Sequence, residues 1–112
     1  MAKILLIDEK YVVGAHVSAL KDARHLVFLL DPTMGNRMGE TRTQLRRGCD
    51  VVILDPMLYA EEELGELNRL LGGRTIIIWG VHDGQGVTHT LRYEKPMLPS
   101  SLVIAVNRLL RV

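Results

Sequence analysis

Two adjacent acids, Asp8-Glu9, a third at Asp55, and the pair Lys95-Pro96 are the residues of this 112-residue chain best suited to chemistry. The acids close apolar runs: Asp8-Glu9 follow Ile4–Ile7, and Asp55 follows Val51–Leu54. Lys95-Pro96 follows a more polar stretch, Thr88 to Glu94. Carboxylates gathered at one point repel one another and hold their protons unless a cation shares the site. A hard cation that takes oxygen ligands and keeps several waters, Mg²⁺, suits such a group. A central carboxylate can then act as a nucleophile toward phosphorus. The metal and a lysine ammonium would neutralise charge on the equatorial oxygens during transfer. Taken singly, acids at strand ends serve as turn residues and helix caps. Three acids and a Lys-Pro at the same kind of boundary favour chemistry instead.

The elements that must position them are legible in the hydrophobic pattern. Ile4–Ile7, Leu26–Leu30, Val51–Leu54 and Ile76–Trp79 are short unbroken runs, as expected of strands covered on both faces of a parallel sheet. Thr88 to Glu94 alternates polar and apolar residues and is expected at a sheet edge. Between the runs, Tyr11–Ala23 carries Val12, Val13, Val17 and Leu20 near the spacing of one helical face. Thr33–Arg47 is a weaker helix, interrupted by Gly35 and Gly39. Glu61–Leu71 has a leucine stripe, three glutamates at the positive helix end, and Gly72-Gly73 as a stop. The last helix runs from Pro99 to Arg111. Gly80 to Thr88 is too short and glycine-rich for a stable helix and is expected to be a loop or a single turn. Strands alternating with helices imply right-handed βαβ units, a parallel sheet, and a site beyond the carboxyl ends of its strands. If the first and third strands are neighbours, the three acids converge there.

Composition narrows the function classes. The chain, 47% hydrophobic and 24% charged, is expected to fold as a single domain over residues 1–112. Its net charge of +1 and few aromatic residues argue against direct nucleic-acid binding and against a membrane surface. No run approaches the about 20 apolar residues that cross a bilayer, and the N-terminal run is too short for a signal peptide. A lone Cys49, with no disulfide or zinc partner, fits a cytoplasmic protein and an inert thiol. His16, His25, His82 and His89 share no metal-ligand spacing and read as surface or loop residues. Arg42, Arg46 and Arg47 read as a solvated helix face, and Met34, Met38, Met57 and Met97 as gap fillers. Gly84-Gln85-Gly86 is too short a glycine motif to suggest a nucleotide site.

Taken in order, Ile4-Leu5-Leu6-Ile7-Asp8-Glu9, Asp50-Val51-Val52-Ile53-Leu54-Asp55, Thr75-Ile76-Ile77-Ile78 and Lys95-Pro96 resemble the signature stretches of response-regulator receiver domains. These are the phosphoacceptor domains of two-component signalling, and the resemblance covers the whole chain. It implies a flavodoxin-like (CheY-like) α/β sandwich with a five-stranded parallel sheet in the order 2-1-3-4-5. It implies Asp55 as the phosphorylated aspartate and Lys95 as the lysine that contacts the phosphoryl group. Asp8, Glu9, Asp55 and the backbone carbonyl of Met57 would hold Mg²⁺, and the Lys95-Pro96 bond would be cis. A histidine kinase or phosphotransfer protein would act upstream and an unidentified protein partner downstream, with the chain a monomer or weak homodimer. No enzyme activity is expected beyond self-phosphorylation and autodephosphorylation of Asp55.

The chain also departs from the family pattern. Gly80 stands where the family has a Thr or Ser hydroxyl, a loss worth about 1.5–3 kcal/mol for a bond to a charged group. Arg92 replaces the switch aromatic, and Tyr93, one place later, would face the other side of its strand. Pro56 removes a backbone N–H beside the acceptor, and Tyr59 takes the place of a family proline. The interval from Gly80 to Lys95 leaves the family's fourth helix short or absent. The resemblance therefore supports two readings: a phosphorylated stand-alone receiver with an altered relay, or a pseudo-receiver that binds partners without phosphorylation.

Overall fold

The five apolar or alternating stretches form one parallel sheet, ordered β2-β1-β3-β4-β5, in a computed structural model that describes residues 2–80, 87, 89–95 and 97–111. Its strands are β1 (Lys3–Ile7), β2 (Leu26–Leu30), β3 (Val51–Leu54), β4 (Ile76–Trp79) and β5 (Leu91–Tyr93). The helices are α1 (Lys10–Asp22), α2 (Arg37–Arg47), α3 (Leu64–Leu71) and α4 (Pro99–Leu110). Sheet order and fold class are those the resemblance implied. The loop expected from Gly80 to Thr88 and the isomer of the Lys95-Pro96 bond lie largely outside the described residues, as does His82.

Because side chains alternate across a strand, each central strand feeds two cores. Leu5, Ile7, Val52, Leu54, Ile76 and Ile78 join Leu45, Leu67 and Leu71 on the α2–α3 side. Ile4, Leu6, Val51, Ile53, Ile77 and Trp79 join Val13, Leu20, Leu102 and Val106 on the α1–α4 side. β1, β3 and β4 are buried along almost their whole length, which is why their runs are unbroken. β2 differs from its expectation, since Leu26 and Phe28 are 45% and 49% exposed. The cause is α2, a polar helix that buries only Met38, Thr41 and Leu45 and leaves the start of β2 uncovered.

Several boundaries shift for local reasons. α2 begins only at Arg37, where the Asn36 side chain accepts the Gly39 N–H at 3.0 Å. Glu61–Glu63 forms a separate 3₁₀ turn before α3, with Glu63 Oε1 accepting the Ala60 N–H at 2.7 Å. Gly73, at φ +77, ends that unit as the two-glycine signal required. β5 is shorter than the alternation from Thr88 to Glu94 suggested.

Some side chains differ from the sequence expectation. His25 is no surface residue: it is buried, its Nδ1 accepting from the Ala2 backbone at 3.3 Å while Nε2 meets Asn107 Oδ1 at 2.9 Å. Met38 fills the core as expected, whereas Met34 and Met57 are 61% and 52% exposed. Arg46 and Arg47 are exposed, but Arg42 reaches Glu66 on α3 at 2.6 Å. Cys49 is a half-buried free thiol whose pKa is pushed up by burial. No described helix is long and apolar enough to cross a membrane.

Candidate functional site

Strand register places the candidate residues. Ile7 lies beside Leu54, so the next residues, Asp8 and Asp55, leave neighbouring strands at the same edge. Period-two alternation then sets them on the face of Leu6 and Ile53. Tyr93 shares that face, and Lys95, two residues on, returns to it. Lys95 Nζ lies 2.5 Å from Asp8 Oδ2 and donates a 2.8 Å hydrogen bond to Asp55 Oδ2. One ammonium thus bridges two carboxylates from β1 and β3.

The cluster is buried to different depths. Asp8 is 1% exposed, and the side chains of Asp55 and Lys95 are 11% and 19% exposed. Asp8 Oδ1 accepts the Glu9 N–H at 2.7 Å. Asp8 Oδ2 has the Lys95 charge beside it but no hydrogen bond of good geometry. Burial works against the Lys95 ammonium, yet its hydrogen bond to Asp55 and its close contact with the Asp8 carboxylate, with the charge of both, outweigh it, so the lysine pKa rises above its ordinary value. The ammonium also sits 5.2 Å from the centroid of the Trp79 ring.

Asp55 is oriented by its own turn. It caps the 3₁₀ turn Pro56–Leu58, and its Oδ1 accepts the Met57 N–H at 3.0 Å. Pro56 has no N–H to offer, so the next amide serves. Gly80 closes the other side, and a Cβ there would stand 3.0 Å from Asp55 Oδ1. A side chain at this position therefore requires the carboxylate to give way slightly. Gly80 N–H donates to Tyr93 O at 3.1 Å, which ties β4 to β5 beside the site. Tyr93 packs on the α1–α4 side, as its one-place offset from Arg92 implied.

The structure thus brings together Asp8, Asp55, Lys95 and Gly80. Among the described residues, no group of three or more His, Cys, Asp or Glu is placed to hold a metal ion. Glu9 contributes its backbone N–H to Asp8, and its side chain is half-exposed. Two buried carboxylates that share a cation nevertheless suit Mg²⁺, which is held through one or two carboxylates with water completing its shell. Asp8 Oδ2, which already faces Lys95 Nζ at 2.5 Å, would have to share such an ion with the ammonium.

Sequence reasoning missed the backing of this site. Trp79, 1% exposed, packs edge-on against His16 of α1, with ring centroids 5.1 Å apart and an interplanar angle of 87°. His16 Nε2 meets Met97 O at 2.5 Å, which ties α1 to the segment leading from Lys95 into α4. The available signal was the parity that puts Trp79 on the same face as Asp55, on the neighbouring strand.

No family model matches this sequence, and no curated protein matches it. Solved structures do. The chemotaxis protein CheY4 of Vibrio cholerae superposes with a TM-score of 0.76 at 20% identity, over 96% of this chain and 98% of that one. A CheY-like response regulator receiver domain protein from Methanospirillum hungatei gives 0.77 at 15% identity, over 99% and 94%. A response regulator from Thermotoga maritima gives 0.74 at 16% identity, over 100% of both chains. The chain has the fold of response-regulator receiver domains.

Proposed function

We propose that this chain is a phosphoacceptor receiver domain of a two-component signalling system, phosphorylated on Asp55 in the presence of Mg²⁺. The observation that carries the reading is the buried pairing of Asp55 with Asp8 through Lys95, at the carboxyl edge of β1 and β3. In the proposed step, an Asp55 oxygen attacks phosphorus on a phosphohistidine or a small acyl phosphate. The bond from phosphorus to the donor breaks, the donor leaves with the electron pair, and Asp55 becomes an acyl phosphate. Lys95, already bonded to Asp55, passes to a phosphoryl oxygen as that charge arrives. Mg²⁺, held by Asp8, Asp55, Glu9 and the Met57 carbonyl as the resemblance implies, would supply further neutralising charge. Water attack on the same phosphorus returns the carboxylate, which is autodephosphorylation. A histidine kinase or phosphotransfer protein in the cytoplasm is the proposed donor, and output passes through contacts with another protein.

Acetyl phosphate with and without Mg²⁺, followed by intact mass, tests this directly. The expected result is a phosphoryl adduct only with Mg²⁺ and never in Asp55→Asn. Beryllofluoride should change Trp79 fluorescence under the same conditions, since Trp79 faces Lys95. No adduct and no Mg²⁺-dependent signal would overturn the proposal.

One observation favours a second reading, a pseudo-receiver that binds its partner without phosphorylation. Lys95 already neutralises both acids, and Gly80 has no hydroxyl with which to read a phosphoryl group. A partner recovered equally by wild type and by Asp55→Asn would establish that reading.

A further inference from the structure

The sheet ends in two edges of different character. β5 is a three-residue edge with Arg92 at its centre, and short charged edges resist pairing with another chain. β2 is a five-residue edge, Leu26-Val27-Phe28-Leu29-Leu30, with no charge and no proline. Leu26 N–H donates to Ala2 O at 2.8 Å and Leu30 O accepts from Asp8 N–H at 3.1 Å, so these residues turn their backbone groups toward β1. Backbone direction alternates along a parallel strand, which turns the N–H and C=O of Val27 and Leu29 outward. Leu26 and Phe28 stand half-exposed beside a groove of about 180 Å³, with Leu5, Gln44 and Cys49 along it.

We propose that this edge pairs with the β2 edge of a second copy of the chain, antiparallel about a two-fold axis at Phe28, joining the two sheets. In that register Val27 faces Leu29 of the second copy and exchanges both backbone hydrogen bonds with it. Phe28 faces its own counterpart in the closer, non-hydrogen-bonded pairing, where aromatic side chains meet. Leu26 faces Leu30. The two-fold closes the contact, since each copy spends its one apolar edge on the other.

Charge selects this arrangement over a parallel one. Lys3 lies beside Leu26 in register, and Arg47 lines the groove at that end. Asp31 follows Leu30 at the other end, where Glu40 shares a second hollow with it. Asp31 is ionised at neutral pH, held below its ordinary range by hydrogen bonds from the Lys10 backbone and the Thr33 side chain. Antiparallel pairing sets the basic end of one copy against the acidic end of the other. Asp50 also lies at the basic end, where its carboxylate accepts the Lys3 backbone N–H at 2.8 Å. The contact makes no use of the Asp55 site, so its test is independent of phosphorylation.

Sedimentation velocity across a concentration series reaching the millimolar range should show a reversible monomer–dimer equilibrium for the wild type. Phe28→Lys, which places two lysines face to face, should sediment as a monomer with an unchanged circular dichroism spectrum. A second arm does not depend on that variant. In a Cys49→Ser background, Phe28→Cys should form a covalent dimer under mild oxidation, because the two cysteines would oppose each other on the axis. Tyr11→Cys, at a position 93% exposed, should stay monomeric in the same background. A wild type that is monomeric throughout, a dimer that survives Phe28→Lys, or equal cross-linking at both cysteines would overturn the proposal.

Discussion

Two sets of ion pairs in this molecule have nearly the same distances and opposite meanings. At the sheet edge, Lys95 lies 2.5 Å from Asp8 and 2.8 Å from Asp55. Nearer solvent, Arg42 meets Glu66 at 2.6 Å, and beside it the partly buried Arg37–Glu63 pair stands at 2.7 Å, together holding α2 against the α3 region. The difference is solvent. Asp8 is 1% exposed, whereas Arg42 and Glu66 are 37% and 38% exposed. Water and salt screen the Arg42–Glu66 pair, so it tethers one helix to another and little else. The buried set keeps its field, which is what a carboxylate nucleophile and a phosphoryl-binding ammonium require.

The largest effect separating the two regions should come from Asp55→Asn. It should abolish Mg²⁺-dependent phosphoryl uptake by intact mass, while Arg42→Ala should leave uptake unchanged. Lys95→Met comes next. It leaves two buried carboxylates facing each other without a cation, and should lower stability in urea at neutral pH by about 1–3 kcal/mol. Mg²⁺ should restore more stability to this variant than to the wild type. A variant as stable as the wild type and indifferent to Mg²⁺ would erase the contrast drawn above.

Alkaline pH offers another way to sharpen it. The Lys95 pKa is raised in the folded state, so its stabilisation is complete below the unfolded value of about 10.4 and fades as pH rises through the folded value. Tyr59 adds to the same loss. Burial pushes its phenol from 10.0 to about 12, while its O–H donates to Thr41 Oγ1 at 2.8 Å. The unfolded chain therefore releases that proton first as pH rises. Unfolding free energy measured from neutral pH upward should fall in the wild type, and fall less steeply in Lys95→Met and in Tyr59→Phe.

A smaller effect should follow at Gly80. Its neighbour Asp55 Oδ1 would lie 3.0 Å from a new Cβ, so Gly80→Thr should shift the carboxylate slightly and shield the acyl phosphate from water. A phosphoryl lifetime several-fold longer than that of the wild type is expected, and an unchanged or shorter one would count against a shielding role. Arg42→Ala should have the smallest effect, about 0.5 kcal/mol or less in urea, and less still in high salt.

Much of the site could be read before the fold was known, because Asp8, Asp55 and Lys95 each end a stretch whose pattern marks a strand. What could not be read was which of them touch. Glu9 looks equivalent to Asp8 in the chain, yet strand parity turns Asp8 inward to Lys95 and leaves Glu9 half-exposed. The histidines carried no pattern at all. His25 and His16 owe their roles to Asn107 and Met97, residues brought to them only by the docking of α4 on α1. β2 misled for a different reason. Its apolar run matches those of β1 and β3, but coverage depends on how a polar helix lies over it.

By itself the sequence determined the alternation of strands and helices, the two-faced burial of the central strands and the placing of acids and lysine at strand ends. These follow from local periodicity, which marks the face a strand residue takes and, for a strand inside the sheet, its burial. Tertiary structure alone decided that Asp8 and not Glu9 turns inward beside Asp55, that one lysine serves both, and that Trp79 and His16 stand behind it. It also decided which of two equally short sets of ion pairs is dry and which strand is left at an open edge. The reason is that periodicity specifies which face a residue takes. Sheet order, register and helix tilt specify what it meets there.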